Sequence, residues 1–484
     1  MKVGLTAFNE ENWPSVIRTY KFYERALSDA FDIEIIETHQ IIERSKHLDV
    51  LVNFQGSLAW EKRASIECPI LFGMHGGLIV DRPFIEKNLS QIQKRDRFLI
   101  NCLSDRTILK NYHSNFSNQS ELIHLPVESN ITPSKAACRK ILDINDNTAL
   151  LGFVARLLPS KNLHGFLRIL KRVKEELTPR PVRAVIIGNY WIDYPILDFS
   201  TKNYPEIIQK QISSLGLEKN IMYFPGVLSD EHLRLAYRAM DTLVHPTYGI
   251  DENFGYVPVE AMSMGTPVVG TAYGGLKETV IDKSTGRLMS TWVTSGGIRM
   301  DTETGISAIV EILNHKHIHQ KMSKNARKHV LTFYSENICR AKLVRAVENA
   351  FCTNTKEIST TEIRASVNDL SSNKKKILPV VKRNWNEFSR QVRHYVSSDL
   401  PKMETGDKLF LPAPMEELKN GYISLNDPAW PINDKLDGKY LKILKSIPLG
   451  GYKLVSKKWP PQPEAEHLLA DGWLSIQKSE NFNA

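Results

Sequence analysis

Two glutamates separated by seven residues, Glu252 and Glu260, stand in the stretch HPTYGIDENFGYVPVEAMSMGTPVVGTAYGG, residues 245–275. Ionised carboxylates accept hydrogen bonds from hydroxyl groups. One before a helix start and one inside the helix suit hydroxyls on either side of a phosphate. TLVH (242–245) reads as a short buried strand and GIDEN as a turn. FGYVPVEAMSMG reads as a helix that Gly265 stops, with Pro258 early enough to be tolerated. PVVG (267–270) is the next strand, and Gly274-Gly275 open a further helix. A strand–loop–helix–strand unit of this kind puts the loop at the carboxyl edge of a parallel sheet, where ligands bind. The backbone N–H groups of Phe254 and Gly255 are then expected to point at an anion, with the helix dipole adding to the attraction. Hydroxyls around a phosphate describe a sugar nucleotide.

A second group of residues fits the same ligand. In ALLGFVARLLPSKNLHGFLRIL a strand ends at Ala155-Arg156, a short loop follows, and Leu163, Phe166, Leu167 and Leu170 form the apolar face of the next helix. Arg156 and Lys161 flank that loop at the carboxyl edge of the sheet. Two cations there would neutralise a diphosphate, the arginine through a forked contact and the lysine as a point charge. Earlier, PILFGMHGGL places His75 at a strand end, with Gly76 and Gly77 freeing the backbone beside it.

The elements that must position these groups follow from hydrophobic runs. KVGLTAF (2–8), DIEIIE (32–37), DVLVNF (49–54), PILFGM (69–74) and RFLINCL (97–103) read as strands. After the first strand, Val16, Tyr20, Tyr23, Leu27 and Ala30 recur at helical spacing. Strands alternating with helices indicate a doubly wound α/β domain. The first β–α turn, FNEENWP, lacks glycines and so cannot make the close approach of a dinucleotide-binding turn, which argues against NAD. Ser104 is the expected cap of the helix 104–112. The polar stretch ESNITPSKAACRKILDINDN (128–147), without strong periodicity, marks a domain boundary, and RAVIIGN (183–189) and NIMYF (220–224) continue a second α/β domain. Ser229 caps the helix after Gly226-Val227. Ile306, Ile309, Val310 and Leu313 form one core stripe; Leu343, Ala346, Val347 and Ala350, after a cap at Ser335, form another.

With 484 residues the chain predicts two or three domains, and 42% hydrophobic with 24% charged residues is a globular composition. A formal charge of +9 suits acidic substrates, anionic lipid or nucleic acid without choosing among them. Five scattered cysteines (68, 102, 138, 339, 352) have no metal-ligand spacing and imply a reducing compartment. No run of 18 apolar residues and no signal-peptide stretch at MKVGLTAFNEENW are found, so a cytoplasmic location is expected, with peripheral contact at the inner membrane left open. Residues 353–376 read as a polar linker. A basic amphipathic helix over 378–396 (Val381, Trp385, Phe388 and Val392 on one side) would lie on an anionic surface or pack on the core, the second being preferred. The rest of 377–484, rich in Pro, Gly and aromatics (DPAWP, LGGYKL, KKWPPQP, DGWL), reads as irregular, ordered structure.

Glu252-Asn253-Phe254-Gly255, Pro258 to Met262, Gly265-Thr266-Pro267-Val268-Val269 and Gly274-Gly275 together resemble the donor-site signature of the large retaining family of GT-B glycosyltransferases, which includes sucrose synthases and bacterial polysaccharide and lipid glycosyltransferases. Gly152-x3-Arg156-x4-Lys161 is similar to that family's phosphate loop, and His75-Gly76 to its strand-end His-Gly. The resemblance covers about residues 1–352. It implies an N-terminal Rossmann-like acceptor domain (1–136), a C-terminal Rossmann-like donor domain (137–334) facing it across a cleft, and a helix (335–352) crossing back. The linker and a C-terminal extension, 377–484, have no counterpart in it. It implies transfer of a sugar from a nucleoside diphosphate to a glycan, lipid or small-molecule acceptor with retention of configuration, and domain closure over the donor.

In that reading Glu252 holds donor-sugar hydroxyls, Glu260 the ribose hydroxyls, and His75 the sugar. Arg156 and Lys161 stabilise the diphosphate, Asn253, Phe254 and Gly255 line the donor, and Gly226-Val227 hold the base through backbone contacts. No cofactor or metal is required. Three departures concern the acceptor side: the missing glycine-rich loop, the short N-terminal domain, and LPVESN (125–130) in place of the usual Asn-Gly. The alternatives are a nucleotide-sugar-binding scaffold with a degenerate site, a nucleic-acid-associated protein or a glycosyltransferase acting on modified DNA, and, as enzyme runner-up, an epimerase or phosphorylase. Intact Glu252, Glu260, Arg156 and Lys161 weigh against the first. The absence of a nucleic-acid module weighs against the second.

Overall fold

The computed structural model describes residues 1–9, 13–130, 133–192, 202–226, 228–353, 391–419 and 421–479, and the side chains of 80–84 are outside that description. The chain forms two compact units, one of residues 1–129, 251–259 and 329–370, the other of 130–250, 260–328 and 371–484.

The first unit is built on a six-stranded parallel sheet in the order β2-β1-β3-β4-β5-β6, with β1 Lys2–Thr6, β2 Asp32–Ile36, β3 Val50–Asn53, β4 Ile70–Gly73, β5 Arg97–Ile100 and β6 Ser120–Leu122. Its central strands are continuous apolar runs because helices cover both faces. Helix Pro14–Ser28 buries Thr19, Phe22, Tyr23, Ala26 and Leu27. The expected stripe was therefore set too wide: Val16 is only half-buried, and Ala30 lies past the helix end, exposed. The helix after β5 runs Leu103–Tyr112 with Cys102 at its N-cap, so Ser104 is a buried first-turn residue and not the cap. Helix Glu336–Cys352 packs in this unit, burying Leu343, Ala346, Val347 and Ala350. Arg97 fastens its end, donating to the Asn349 carbonyl at 3.2 Å and to Thr353 Oγ1 at 2.8 Å.

The second unit carries a six-stranded parallel sheet in the order β12-β11-β10-β7-β8-β9, with β7 Ala149–Val154, β8 Val182–Ile187, β9 Ile221–Phe224, β10 Thr242–His245, β11 Val268–Thr271 and β12 Gly286–Met289. Helices Leu163–Glu176 and Thr302–Asn314 cover one face with the predicted residues, Leu163, Phe166, Leu167 and Leu170 on the first and Ile306, Ile309 and Leu313 on the second. The stretch read only as polar contains a helix, Lys135–Ile141. It is held by ion pairs rather than an apolar stripe: Lys135 Nζ lies 2.7 Å and Arg139 Nη1 3.3 Å from the Asp241 carboxylate.

The C-terminal extension is not irregular, as its composition suggested. It forms two antiparallel three-stranded sheets: β19-β15-β20 (Lys453–Leu454, Lys408–Phe410, Ser475–Gln477) and β16-β17-β18 (Met415–Glu417, Ile423–Leu425, Ile432–Asp434). Helices Gly438–Lys445 and Gln462–Ala470 complete it. Leu409, Leu425, Leu468, Trp473 and Ile476 make its core, and Trp292 joins them from the hairpin β13 (Thr291–Thr294)–β14 (Gly297–Met300). The linker and most of the basic amphipathic helix lie outside the described residues. Among the described residues, Val392 and Tyr395 are buried and no helix is long and apolar enough to cross a membrane. Four cysteines are buried thiols and Cys352 is exposed.

Candidate functional site

In the second unit, the loop after β7 carries both predicted cations. Its Pro159–Lys161 turn leads into Asn162, which takes a left-handed conformation (φ 63) as the N-cap of the helix Leu163–Glu176. Asn162 Oδ1 accepts from the Gly165 amide at 2.9 Å, closing the first turn. Its Nδ2 donates to the Pro246 carbonyl at 2.9 Å, tying this loop to the one after β10. Two further bonds converge on the Ser160 carbonyl, from the Tyr248 amide at 3.2 Å and Thr247 Oγ1 at 3.3 Å. The two loops are thus tied together at the carboxyl edge of neighbouring strands. Lys161 is buried there, 7% exposed. The Arg156 guanidinium lies over the Trp191 ring, 5.2 Å from its centroid, an arrangement that orients the guanidinium plane. Trp191 was not singled out in the sequence, since a lone aromatic after a strand carries no pattern.

Glu260 lies on the helix Tyr256–Ser263, and Tyr237, on the helix Asp230–Ala239, donates its hydroxyl to Glu260 Oε2 at 2.9 Å. The Ser229 cap forms as expected, accepting from the His232 amide at 3.3 Å. Gly226 has φ 102, a conformation that favours glycine, and its amide donates to Asn189 Oδ1 at 2.6 Å. Val227 lies outside the described residues.

In the first unit, Glu252, Asn253 and Phe254 are buried. Gly255 has φ 81, which lets the chain turn directly into the helix. Asn253 Nδ2 donates to the Met74 carbonyl at 3.1 Å, so this segment and the His75 loop are brought together. Phe254 packs edge-on against Tyr256, with ring centroids 5.2 Å apart. His75 is fixed between Phe54 (4.5 Å between centroids) and Tyr23 (5.2 Å, edge-on). Its Nδ1 is 3.1 Å from Asn101 Oδ1, and Asn101 Nδ2 is committed to the Ile123 carbonyl at 2.8 Å. The amide oxygen can only accept, so His75 carries its proton on Nδ1. Nε2 is then a bare acceptor, buried and, among the described residues, without a hydrogen-bond partner. Burial pushes the imidazole down to about 4, against a smaller upward effect of Asn101, so the ring is neutral at physiological pH. A neutral acceptor suits a hydroxyl donor and not an anion.

Residues 134–329 match the family model described as Glycosyl transferases group 1. A D-inositol 3-phosphate glycosyltransferase of Mycobacteroides abscessus is 30% identical over 202 residues, 41% of this chain and 42% of that protein. One from Mycolicibacterium smegmatis is 28% identical over 200 residues, with coverage of 41% and 42%. The chain therefore spans less than half the length of these curated relatives. Among solved structures, Anabaena HepE in complex with UDP aligns with a TM-score of 0.56 at 16% identity, over 72% of this chain and 100% of that one. Sucrose-phosphate synthase from Thermosynechococcus elongatus aligns with a TM-score of 0.56 at 16% identity, over 72% and 99%. These likenesses establish architecture: the chain has the GT-B fold, and its residues 134–329 are similar to the family Glycosyl transferases group 1.

Proposed function

We propose that the protein is a retaining glycosyltransferase that moves a sugar from a nucleoside-diphosphate donor to a hydroxyl acceptor on a glycan, lipid or small molecule. The observation that carries this reading is the loop after β7, where Arg156 and the buried Lys161 are held at the carboxyl edge of the family-matching domain by Asn162 and the Ser160 carbonyl. As the anomeric carbon–oxygen bond breaks, negative charge grows on the diphosphate and positive charge on the sugar ring. Arg156, Lys161 and the amides before Tyr256 stabilise the first. These fixed cations and the helix start do the work a metal ion would do, so no metal is invoked. Glu252 binds donor-sugar hydroxyls and Glu260 the ribose hydroxyls. Asn253, Phe254 and Gly255 line the donor, and Gly226 and Val227 contact the base. His75 accepts from a sugar hydroxyl through Nε2. The leaving phosphate takes the acceptor's proton, on the same face of the sugar as attack, which retains configuration. The work is placed in the cytoplasm.

The test is release of nucleoside diphosphate from a panel of UDP-, GDP- and ADP-sugars without added acceptor, beside Glu252→Ala. UDP-sugars come first because HepE is a UDP complex. Slow hydrolysis of one donor, lost in the variant, supports the reading and identifies the donor. Silence across the panel, with no thermal shift by any nucleotide, favours a scaffold with a degenerate site.

A further inference from the structure

Asp427 belongs to the C-terminal extension, in the turn-like sequence DPAWP, and yet it is buried, 4% exposed, 263 residues away from the histidine it touches. That histidine, His164, is fully buried in the first turn of the helix that follows Lys161. Its Nε2 lies 3.2 Å from Asp427 Oδ1, and its Nδ1 lies 3.0 Å from the Tyr204 hydroxyl. The Tyr248 hydroxyl donates to the same carboxylate, 2.9 Å from Oδ1. Backbone amides of Ala429 and Trp430 add two more donors at 2.9 and 3.1 Å.

The proton assignments close. A carboxylate only accepts, so His164 shares its Nε2–H between Asp427 Oδ1 and the Tyr248 oxygen, 3.0 Å away, and receives the Tyr204 hydroxyl on Nδ1. Burial opposes the charged form of His164 and also of Asp427. For Asp427, the His164 contact and the charges of Arg299 and Arg168 win, and the carboxyl stays well below the usual range. Arg299 is itself locked in place, donating to the Gly472 carbonyl at 2.7 Å and to that of Trp430 at 3.3 Å. His164, Tyr248 and the Asp427 carboxylate are mutually hydrogen-bonded in a buried setting, which makes the network stiff.

What this stiffness serves follows from the next bonds along. Tyr248 is the residue whose amide holds the Ser160 carbonyl, and His164 lies two residues past Asn162. We propose that the extension is a brace for the donor loops. Asp427, acting through Tyr248 and His164, holds 157–162 and 246–248 in the geometry that binds the nucleotide, which makes Asp427 and Tyr248 positioning residues. The proposal rests on the donor reading above for its consequence, though not for the brace itself. A cation as buried as Lys161 needs such a fixed frame, because any sag of its loop lengthens every contact to the diphosphate at once.

Tyr248→Phe keeps the ring and removes only the hydroxyl, and Asp427→Asn keeps the shape and removes the charge. Leu468→Ala, in the core of the extension and outside the network, is the control that lowers stability alone. Amide hydrogen exchange of the nucleotide-free protein reads the brace directly. Amides of 157–162 and 247–250 should exchange about tenfold faster in both variants and not in the control. The dissociation constant of the nucleoside diphosphate should rise about tenfold in both variants, with acceptor KM unchanged and the control unaffected. Unchanged loop exchange in Tyr248→Phe overturns the brace, whatever the nucleotide does. Faster exchange with unchanged nucleotide affinity overturns its role in donor binding. Faster exchange in a protein whose wild type binds no nucleotide leaves the brace standing and removes the donor reading instead.

Discussion

The assignment of Glu260 to the ribose can be tested as a coupled pair. Tyr237 is fully buried and directs its hydroxyl at Glu260 Oε2 across 2.9 Å. The bond fixes the plane of the Glu260 carboxylate. Removing a carboxylate that makes charge-assisted bonds to a ligand costs about 1–3 kcal/mol, so Glu260→Ala should weaken nucleoside diphosphate binding by roughly 5- to 150-fold. Tyr237→Phe removes no ligand contact. It frees the carboxylate to sample other rotamers, worth about 0.5–1 kcal/mol, or roughly two- to fivefold. If Tyr237 acts on the nucleotide only through Glu260, the double variant should bind no more weakly than Glu260→Ala, giving a coupling energy equal to the whole Tyr237→Phe effect. Isothermal titration calorimetry with the nucleotide identified in the donor panel measures all three. An unchanged affinity in Glu260→Ala takes Glu260 out of the nucleotide site. Simple additivity of the two substitutions removes Tyr237 as its positioning partner.

Glu252→Ala should abolish transfer while nucleoside diphosphate affinity stays within about twofold of wild type, since its carboxylate is assigned to the sugar and not the nucleotide; equal loss of both in a turnover and binding assay would move it to the nucleotide. Burial holds His75 at about 4, and burial together with the Lys342 charge holds His124 at about 4. The unfolded chain keeps both near the ordinary value of about 6.5 and so binds more protons between the two values; stability present above that value is lost as pH falls toward 4. The urea midpoint should therefore drop between pH 7 and pH 5, less steeply in His75→Asn, and a flat midpoint would contradict the burial argument. The fully buried pair Arg63–Asp96, with Nε to Oδ2 at 2.7 Å and Nη2 to Oδ1 at 2.8 Å, also receives the Ile70 amide at 2.9 Å. Asp96→Asn should destabilise the first unit by about 3–5 kcal/mol in chemical denaturation, because it leaves a buried guanidinium uncompensated; a loss under about 1 kcal/mol would mean that water reaches the site.

Much of the fold was legible because buried parallel strands are unbroken apolar runs: VLVN, ILFG and TLVH sit in the sheets within a residue of their expected bounds, and RFLI starts where expected but ends three residues early. The loop after β7 was legible for a different reason. Arg156 and Lys161 fall where the spacing of a strand, a loop and a helix start puts them, whereas Asn162, which caps that helix, was not singled out. What escaped was whatever long-range polar contacts decide. The helix Lys135–Ile141 has only Cys138 and Arg139 buried, and no apolar period marks it. The extension's strands run two or three residues each, too short to show alternation, and its core draws on residues as scattered as Trp292, Leu409 and Trp473. Ser104 lost the cap position because the helix begins one residue earlier, with Asp105 accepting from the Leu78 amide at 3.0 Å. His75 was named for its place at a strand end, but its tautomer depends on Asn101 and Ile123, which no local pattern couples to it.

The extension illustrates how a segment outside a family's pattern becomes inseparable from the site. Arg299 and Asp427 are both buried, one on the hairpin β13–β14 of the second unit and the other on the extension. An isolated buried charge is expensive, and each is tolerable only in the presence of the other and of the backbone carbonyls and amides that surround them. The same hairpin sends Trp292 into the extension's core, where its fully buried side chain packs with Leu468 and Trp473. Apolar burial and charge compensation therefore cross the same boundary, so neither the second unit's sheet with its hairpin nor the extension has a satisfied surface without its counterpart. The loop after β7, with its buried Lys161, is held in part through contacts made hundreds of residues further along the chain.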